Sequence, residues 1–280
     1  MSAEAHVLLI DCPDQIGLVY SITSILYRHA LNILKNDEFV DRHANHFFMR
    51  TEFSGNIDTT ELLNELHTQM PPEANIVLNP RKRKDIVLLV TKEHHCLGDL
   101  LLRYAYDELD ANILAVISNH NVLQPLVAKF GIPFHYISHE HRTRPEHEEA
   151  IHKALAIYQP EFLVLAKYMR VLTPEFVAHY PNKIINIHHS FLPAFIGANP
   201  YRQAFDRGVK IIGATAHFVN NNLDEGPIIH QDTIPVTHRL SSDEMARAGK
   251  DGEKIVLARA LKLVFQDRIF IHKNKTIIFW

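Results

Sequence analysis

Cysteine is scarce in this chain of 280 residues: only Cys12 and Cys96 occur. That excludes a disulfide framework and suits a reducing compartment in which both stay thiols. Long apolar runs are missing as well, and none approaches the roughly 20 residues that span a bilayer. A soluble protein is therefore expected. The opening residues, Met1-Ser2-Ala3-Glu4-Ala5-His6, lack the basic and apolar regions of an export signal, which points to the cytoplasm. Charge of one sign is not in excess either. With 29 Lys and Arg against 32 Asp and Glu the net charge is −3, which argues against a general nucleic-acid surface. The basic run Arg81-Lys82-Arg83-Lys84 is too short to change this and reads as a solvated linker. What is present is ordinary for a globular protein, 46% hydrophobic and 22% charged, and the length favours two domains.

The basic run marks the expected boundary, with one domain over 1–80, a linker over 81–84 and a second domain over 85–280. Before it the pattern reads as strand His6 to Ile10, helix Gln15 to Ala30, strand Asn32 to Val40, strand His46 to Phe53, helix Thr60 to Met70 and strand Ala74 to Leu78. The order βαββαβ predicts a ferredoxin-like plait, two helices on one face of an antiparallel sheet. In the first helix Ile16, Val19, Ile22 and Leu26 form an apolar stripe, and Asp14 is a candidate cap. Pro71-Pro72 stop the second helix.

From Asp85 onward strands and helices alternate. Apolar runs at 85–91, 113–118, 134–137, 162–166 and 183–187 are separated by helical stretches near 97–108, 122–130, 145–158 and 174–179. Runs such as Ile86-Val87-Leu88-Leu89-Val90 suit strands of a parallel sheet buried on both faces. Strands at 211–219 and 228–236 then form a pair around a polar loop, followed by a helix from Ser242 to about Phe265 and a short hairpin around Lys273-Asn274-Lys275.

Chemistry concentrates at two places in this second region. Asn186 and His188 stand two apart at the end of the run Lys183 to Ile187, a spacing that aims both side chains at one face of a strand. A loop punctuated by Pro193 and Gly197 follows, as after strand ends that carry a site in an open α/β sheet. The loop Asn220-Asn221-Asn222-Leu223-Asp224-Glu225-Gly226 supplies a carboxylate, Asp224, and its Asn residues with Gly226 permit a left-handed backbone. An Asn amide donates to a carbonyl, a His donates to a developing oxyanion, and an Asp orients the His or moves a proton. Together these groups suit attack on an acyl or formyl group. Plain structural roles, a hydrogen-bonded His and a turn-forming Asp, stand beside that reading.

The motifs Asn186-Ile187-His188 with Ser190-Phe191-Leu192-Pro193 and Gly197, Gly213-Ala214-Thr215-Ala216-His217-Phe218-Val219, and Leu223-Asp224-Glu225-Gly226-Pro227 resemble the folate-dependent formyltransferase family. So do Ala115-Val116-Ile117-Ser118-Asn119 and Leu165-Ala166-Lys167-Tyr168-Met169-Arg170-Val171-Leu172. The resemblance extends to the branch that places a small ACT regulatory domain ahead of the catalytic one, with Asp11-Cys12-Pro13-Asp14-Gln15-Ile16-Gly17-Leu18 as its opening loop. It implies an α/β chain, a ferredoxin-like ACT domain followed by a Rossmann-like formyltransferase domain with a mostly parallel sheet. It further implies hydrolysis of 10-formyltetrahydrofolate, as substrate rather than cofactor, to formate and tetrahydrofolate. Asn186, His188 and Asp224 would be catalytic, with Met169, Arg170, Val171 and Leu172 along the pteridine pocket and no metal or other cofactor. The formate would supply purine synthesis and balance one-carbon pools. Asp14, Gly17 and Asn32 are candidates for an effector site, methionine and glycine are the implied effectors, and a homo-oligomer without nucleic-acid or membrane partners is expected.

One turn departs from the transformylase pattern. Glycinamide ribonucleotide transformylases open their catalytic domain with a Gly-rich phosphate cradle. Here Thr91-Lys92-Glu93-His94-His95-Cys96-Leu97-Gly98-Asp99 holds one Gly, which favours water as acceptor. His135, His139, His141 and His147 lack zinc-protease spacing, and Cys96 ranks below Asp224 as a reactive group because free Cys is usually buried and inert. Three readings stay open: a hydrolase, a formyltransferase to a small amine, and a non-catalytic folate- or amino-acid-binding regulator.

Overall fold

The computed structural model describes residues 5–194 and 200–280, so Gly197 of the motif above lies outside the described residues. Two compact units emerge. One runs up to Lys82 and includes 266–272 and 277–280, and the other holds 83–265 and 273–276.

The first unit contains β1 (Ala5–Pro13), α1 (Leu18–Arg28), β2 (Asn32–Asp41), β3 (His46–Ser54), α2 (Thr59–Gln69) and β4 (Asn75–Pro80). The strands form an antiparallel sheet in the order β2-β3-β1-β4, the plait predicted from the pattern. Alternate residues of β1 enter different cores. Leu8, Ile10 and Cys12 pack with Ile22, Ile25 and Leu26 of α1 and Leu62 and Leu66 of α2. Val7 and Leu9 pack on the opposite face with Phe48 and Phe270. Both faces of the central strand are thus buried, which explains its apolar run from Val7 to Ile10.

Two details of α1 correct the sequence reading. The helix starts at Leu18 after Gly17, so its buried face is Leu18, Ile22, Ile25 and Leu26, while Val19 is exposed and Ile16 lies wholly in solvent ahead of the helix. Asp14 does not cap it, since no side chain caps this end and the Asp14 backbone N–H bonds to Asn45 O at 3.0 Å. Gly17 holds the left-handed conformation at the entry, φ 92°, and Asn32 opens β2. Those positions remain candidates by resemblance alone.

The basic run is solvated over Arg81 and Lys82 but not over Arg83 and Lys84. Arg81 pairs with Glu52, and Lys84 is buried as the first residue of a strand. Arg83 donates to Asp107 Oδ1 at 2.6 Å and to Leu109 O at 2.7 Å while stacking over Tyr104. Long basic side chains bury their stems and present only their heads to partners, which charge counting does not register.

The second unit proceeds as β5 (Lys84–Val90), α3 (His95–Ala105), β6 (Ala111–Ser118), α4 (Gln124–Ala128), β7 (Phe134–Tyr136), α5 (Arg144–Tyr158), β8 (Phe162–Leu165), α6 (Pro174–Ala178), β9 (Ile184–His188), α7 (Pro200–Asp206), β10 (Ile211–Phe218), β11 (Ile228–Pro235) and α8 (Ser242–Phe265). Its sheet runs β11-β10-β9-β8-β5-β6-β7. Pairings from β9 through β7 are parallel, and β10 adds antiparallel to β9 and to β11. The chain builds outward from β5 to β7 and then returns to place β8 on the other side of β5. The crevice beyond the carboxyl ends of β5 and β8 is therefore a topological switch point, where open α/β sheets bind ligands. The α7 helix was not anticipated in the pattern.

The chain closes with a hairpin, β12 (Ile269–His272) and β13 (Lys275–Ile278). The sequence places this segment in the second domain, whereas Phe270, Ile277 and Phe279 pack on Val7, Leu9 and Phe48 of the first unit. Buried Arg50 anchors the approach, donating to Asp267 O at 2.9 Å and Gln266 O at 3.1 Å. Among the described residues no helix is long and apolar enough to cross a membrane.

Candidate active site

A cavity of about 720 Å³ opens beyond the carboxyl ends of β8 and β9, beside the switch point. Asn186, His188 and Asp224 all line it, together with Met169, Arg170, Val171 and Leu172, so every catalytic and pocket residue singled out in the sequence borders one space. Its size falls in the range of small-molecule sites, roughly 300–1,000 Å³.

Asn186 and His188 project from the end of β9, as their spacing predicts. The loop beyond is held by Thr215 of β10, whose hydroxyl donates to Ser190 O at 2.8 Å and accepts from Leu192 N–H at 3.1 Å. Gln231 Nε2 adds bonds to Leu192 O and to Thr215 Oγ1. The loop bearing Asp224 departs from the sequence reading in its geometry. Asp224 itself takes the left-handed conformation, φ 58°, whereas Gly226 serves close approach: a Cβ there would stand 1.7 Å from Phe218 O. Asn222 steadies the turn by donating to Glu225 Oε2 at 3.0 Å.

The polar atoms at the centre can be assigned in turn. His188 Nδ1 lies 3.3 Å from Asp224 Oδ1, with both side chains about nine-tenths buried. A carboxylate only accepts, so Nδ1 carries the proton. His188 Nε2 is buried and has no hydrogen-bond partner. A buried polar atom left open costs about 1–3 kcal/mol, and this one belongs to a side chain that lines the cavity, which makes it a candidate position for a ligand to complete. Burial pulls the Asp224 carboxyl upward, but the hydrogen bond and charge of His188, with smaller effects of His217 and His189, bring it below the ordinary carboxylate value. It is an anion at neutral pH.

His217 joins this group without having been assigned a role from sequence. The β9–β10 register sets it opposite Asn186. Its Nδ1 donates to Phe218 O at 2.8 Å, so Nε2 is an acceptor and takes a hydrogen bond from Asn186 Nδ2 at 3.2 Å. That bond fixes which end of the Asn186 amide is which and leaves the second N–H of Nδ2 for a ligand. Burial lowers the His217 pKa and keeps the ring neutral. His189, whose ring centroid lies 5.1 Å from that of His188, is pushed down to about 4 by burial and then by the nearby Lys167 charge.

The opposite wall, Met169 to Leu172, is fastened at both ends. Met169 N–H donates to Thr91 Oγ1 at 2.9 Å, bridging the ends of β8 and β5. Thr173 N–H and hydroxyl donate to the two oxygens of buried Glu148 at 2.9 and 2.5 Å. Neither Thr91 nor Glu148 stands out in the sequence, because their partners are distant in the chain.

The remaining candidates lie elsewhere. Cys96 is buried, and its thiol is raised far above the ordinary value by burial and then by the Glu253 charge, so it is no nucleophile. Cys12 is likewise buried and pushed up to about 11 by burial and the Asp11 and Asp14 charges. His135 pairs with Tyr158 OH, His147 with Ile137 O and His139 with Asn119. Among the described residues two groups could converge on a metal ion, Asp11 with His46 and His272, and His95 with Cys96 and Glu253. Neither lines the cavity.

Comparison with known proteins places both units. Residues 84–261 match the Formyl transferase family model and residues 6–69 the ACT domain model. The formyltetrahydrofolate deformylase of Haemophilus influenzae is 58% identical over 275 residues, covering 98% of this chain and 99% of that protein. The crystal structure of a formyltetrahydrofolate deformylase from Pseudomonas syringae pv. tomato superposes with a TM-score of 0.95 at 38% identity, covering 100% of this chain and 95% of that one. Glycinamide ribonucleotide transformylase 1 from Symbiobacterium toebii follows with a TM-score of 0.68 and 28% identity over 73% of this chain and 97% of that one. The fold and the site thus define a formyl transferase domain carried behind an ACT domain. Within that class, the near full-length identity shows that the chain belongs to the formyltetrahydrofolate deformylase family.

Proposed function

We propose that the chain hydrolyses 10-formyltetrahydrofolate to formate and tetrahydrofolate, with Asn186, His188 and Asp224 as the reacting constellation. The observation that carries this assignment is His188 Nε2, buried and unbonded, on a ring whose Nδ1 is engaged by Asp224. The formyl oxygen completes it. Reacting as the imidazolium, His188 donates from Nε2 while Asp224 compensates its charge, and the free N–H of Asn186 Nδ2 supplies a second donor. As water adds to the formyl carbon, both bonds strengthen on the developing oxyanion. Asp224 accepts the water's proton, directly or through a second water, and returns it to N10 as the C–N bond breaks. The carbon leaves as formic acid, which gives its remaining proton to solvent to become formate, and N10 leaves as the secondary amine.

The folate fits along Met169, Arg170, Val171 and Leu172, where backbone groups held by Thr91 and Glu148 face the pteridine edge. Formate made this way would feed purine synthesis and balance one-carbon pools in the cytoplasm. In the first unit, exposed Ile16, Val19, Tyr20 and Tyr27 support assembly into a homo-oligomer. Asp14, Gly17 and Asn32 are the positions we assign to an amino-acid effector such as methionine or glycine.

Formate release from 10-formyltetrahydrofolate by the purified chain, with no amine added, tests the assignment. Turnover is expected. Folate binding without turnover would favour the regulatory reading, and turnover only with an amine present would favour the transferase.

A further inference from the structure

Behind one side of the cavity lies a second buried cluster that the reaction above does not use. Glu253, on α8 and 1% exposed, stands at its centre. Its Oε2 lies 2.8 Å from His95 Nε2 and 3.2 Å from Lys167 Nζ, and its Oε1 accepts from Tyr201 OH at 2.6 Å. Burial would raise this carboxyl, but the His95 bond, the Lys167 charge and the Tyr201 bond hold it at about 2. Lys167 and Tyr201 line the cavity, while His95 and Glu253 sit behind them. Tyr201 lies hard against α8, because a Cβ at Gly249 would come within 2.1 Å of its hydroxyl oxygen. His189 lies between this wall and His188, with ring centroids 6.1 Å from Tyr201 and 5.1 Å from His188.

A second substrate larger than water needs two things beside the formyl carbon, space and polar partners for its own groups. The wall withholds both. The Tyr201 ring fills volume that glycine at 249 makes available, and the one buried carboxylate and one buried ammonium on this side are spent on each other. On this wall a cationic amine finds no free carboxylate in Glu253, and an anionic acceptor finds no free cation in Lys167. Water needs neither. We propose that the Lys167–Glu253 pair, held by His95 and faced by Tyr201, is the specificity wall that keeps amine acceptors from the formyl carbon and reserves it for water. These are specificity-determining residues for the reaction proposed above, and the inference rests on that reading.

The test is the partition of the formyl group in the presence of glycinamide, a primary amine. Formate and N-formylglycinamide are quantified from the same reaction of the full chain. The wild type is expected to give formate and no formylated amine above the uncatalysed background. The double variant Lys167→Ala/Glu253→Ala removes both charges together and opens the wall, and its ratio of formylglycinamide to formate is expected to rise at least about 10-fold, the scale of a single lost discriminating contact. A merely structural role would slow both products together and leave the ratio unmoved. Tyr201→Ala opens the same wall while leaving Glu253 bonded to His95 and Lys167, so it decides the question by the same ratio if the double variant does not fold. An unchanged ratio in a folded variant that still releases formate overturns the proposal. Absence of formate from the wild type would instead overturn the parent reading, so the two failures are distinct.

Discussion

Two buried polar clusters border one cavity and are wired differently. Around Glu253 the carboxylate is matched, with two donors at one oxygen and a third at the other, and His95, whose Nδ1 is buried without a hydrogen-bond partner, does not line the cavity. Around His188 the matching stops one atom short, because Nδ1 is tied to Asp224 and Nε2 meets nothing. Ionisable groups are present at both places and pKa values are perturbed at both, so perturbation alone does not separate chemistry from architecture. What separates them is whether the unpartnered nitrogen belongs to a side chain that lines the cavity, as His188 does and His95 does not. The Glu253 carboxylate resists a ligand, because any newcomer must break a bond to make one. His188 leaves one buried nitrogen unspent on the cavity wall for a ligand to complete.

The sharpest way to break this comparison is to disable the open cluster and leave its shape. Asp224→Asn keeps size and burial but can neither take a proton as a base nor balance an imidazolium. Loss of a general acid–base group costs about 10²- to 10⁴-fold, and kcat for formate release is expected to fall by that much. Folate binding, followed by calorimetry, should survive. Near wild-type kcat would end the assignment. His188→Gln comes next. It replaces a charge-assisted donor by a neutral one, and a lost oxyanion donor is worth about 10²- to 10³-fold in kcat. A change confined to KM would mean that His188 binds substrate without acting in the transition state.

His217→Phe probes a finer point, because His217 acts through Asn186. Without the acceptor at Nε2 the amide is free to turn and present oxygen instead of N–H. Misplacement of one group costs up to about 10²-fold, and the loss is expected in kcat with KM little changed. His217→Gln, which offers an acceptor oxygen, should recover part of it. If Phe and Gln behave alike, the hydrogen bond to Asn186 is not what His217 contributes.

The difference between the clusters also marks how much was legible in the sequence. The plait is readable because β1 carries the apolar run Val7 to Ile10 and α1 is periodic, and the parallel sheet because Ile86 to Val90 leave no polar face. The boundary of the buried face on α1 is not, since one left-handed residue at Gly17 delays the helix and moves Ile16 into solvent. Asn186, His188 and Asp224 stand out as candidates because strand alternation and a polar loop are local signals, sharpened by the family resemblance. His217 was quoted within a motif yet given no role, because only the β9–β10 register sets it against Asn186. The Glu253 cluster was invisible for the same reason: His95, Lys167, Tyr201 and Glu253 come from four separate stretches, and nothing local announces that they meet. Networks assembled from distant residues are what single-sequence reasoning misses most.

The smallest expected effect concerns His189, which stands between the clusters. Its ring is held neutral down to about 4 by burial and the Lys167 charge, against an ordinary value of 6.5. Between those values the unfolded chain binds a proton that the folded chain refuses, so stability rises with pH through this window and is lost as pH falls from 6.5 towards 4. Over pH 7 to 5 the loss from this one ring is about 2 kcal/mol. Glu253 works in a different window. Held at about 2 against an ordinary 4.5, it stabilises fully above 4.5 and loses that contribution only as pH falls through 4.5 towards 2. A denaturant titration at pH 7 and at pH 5 therefore reads the histidines and not Glu253. His189→Gln should lose less stability across that interval than the wild type, by about the same 2 kcal/mol, because the other buried histidines are common to both chains and cancel in the difference. Equal losses would mean that the matched Lys167–Glu253 pair projects no field onto its neighbour and that burial does not hold the ring neutral. The two clusters would then be electrostatically independent, sharing a cavity and nothing else.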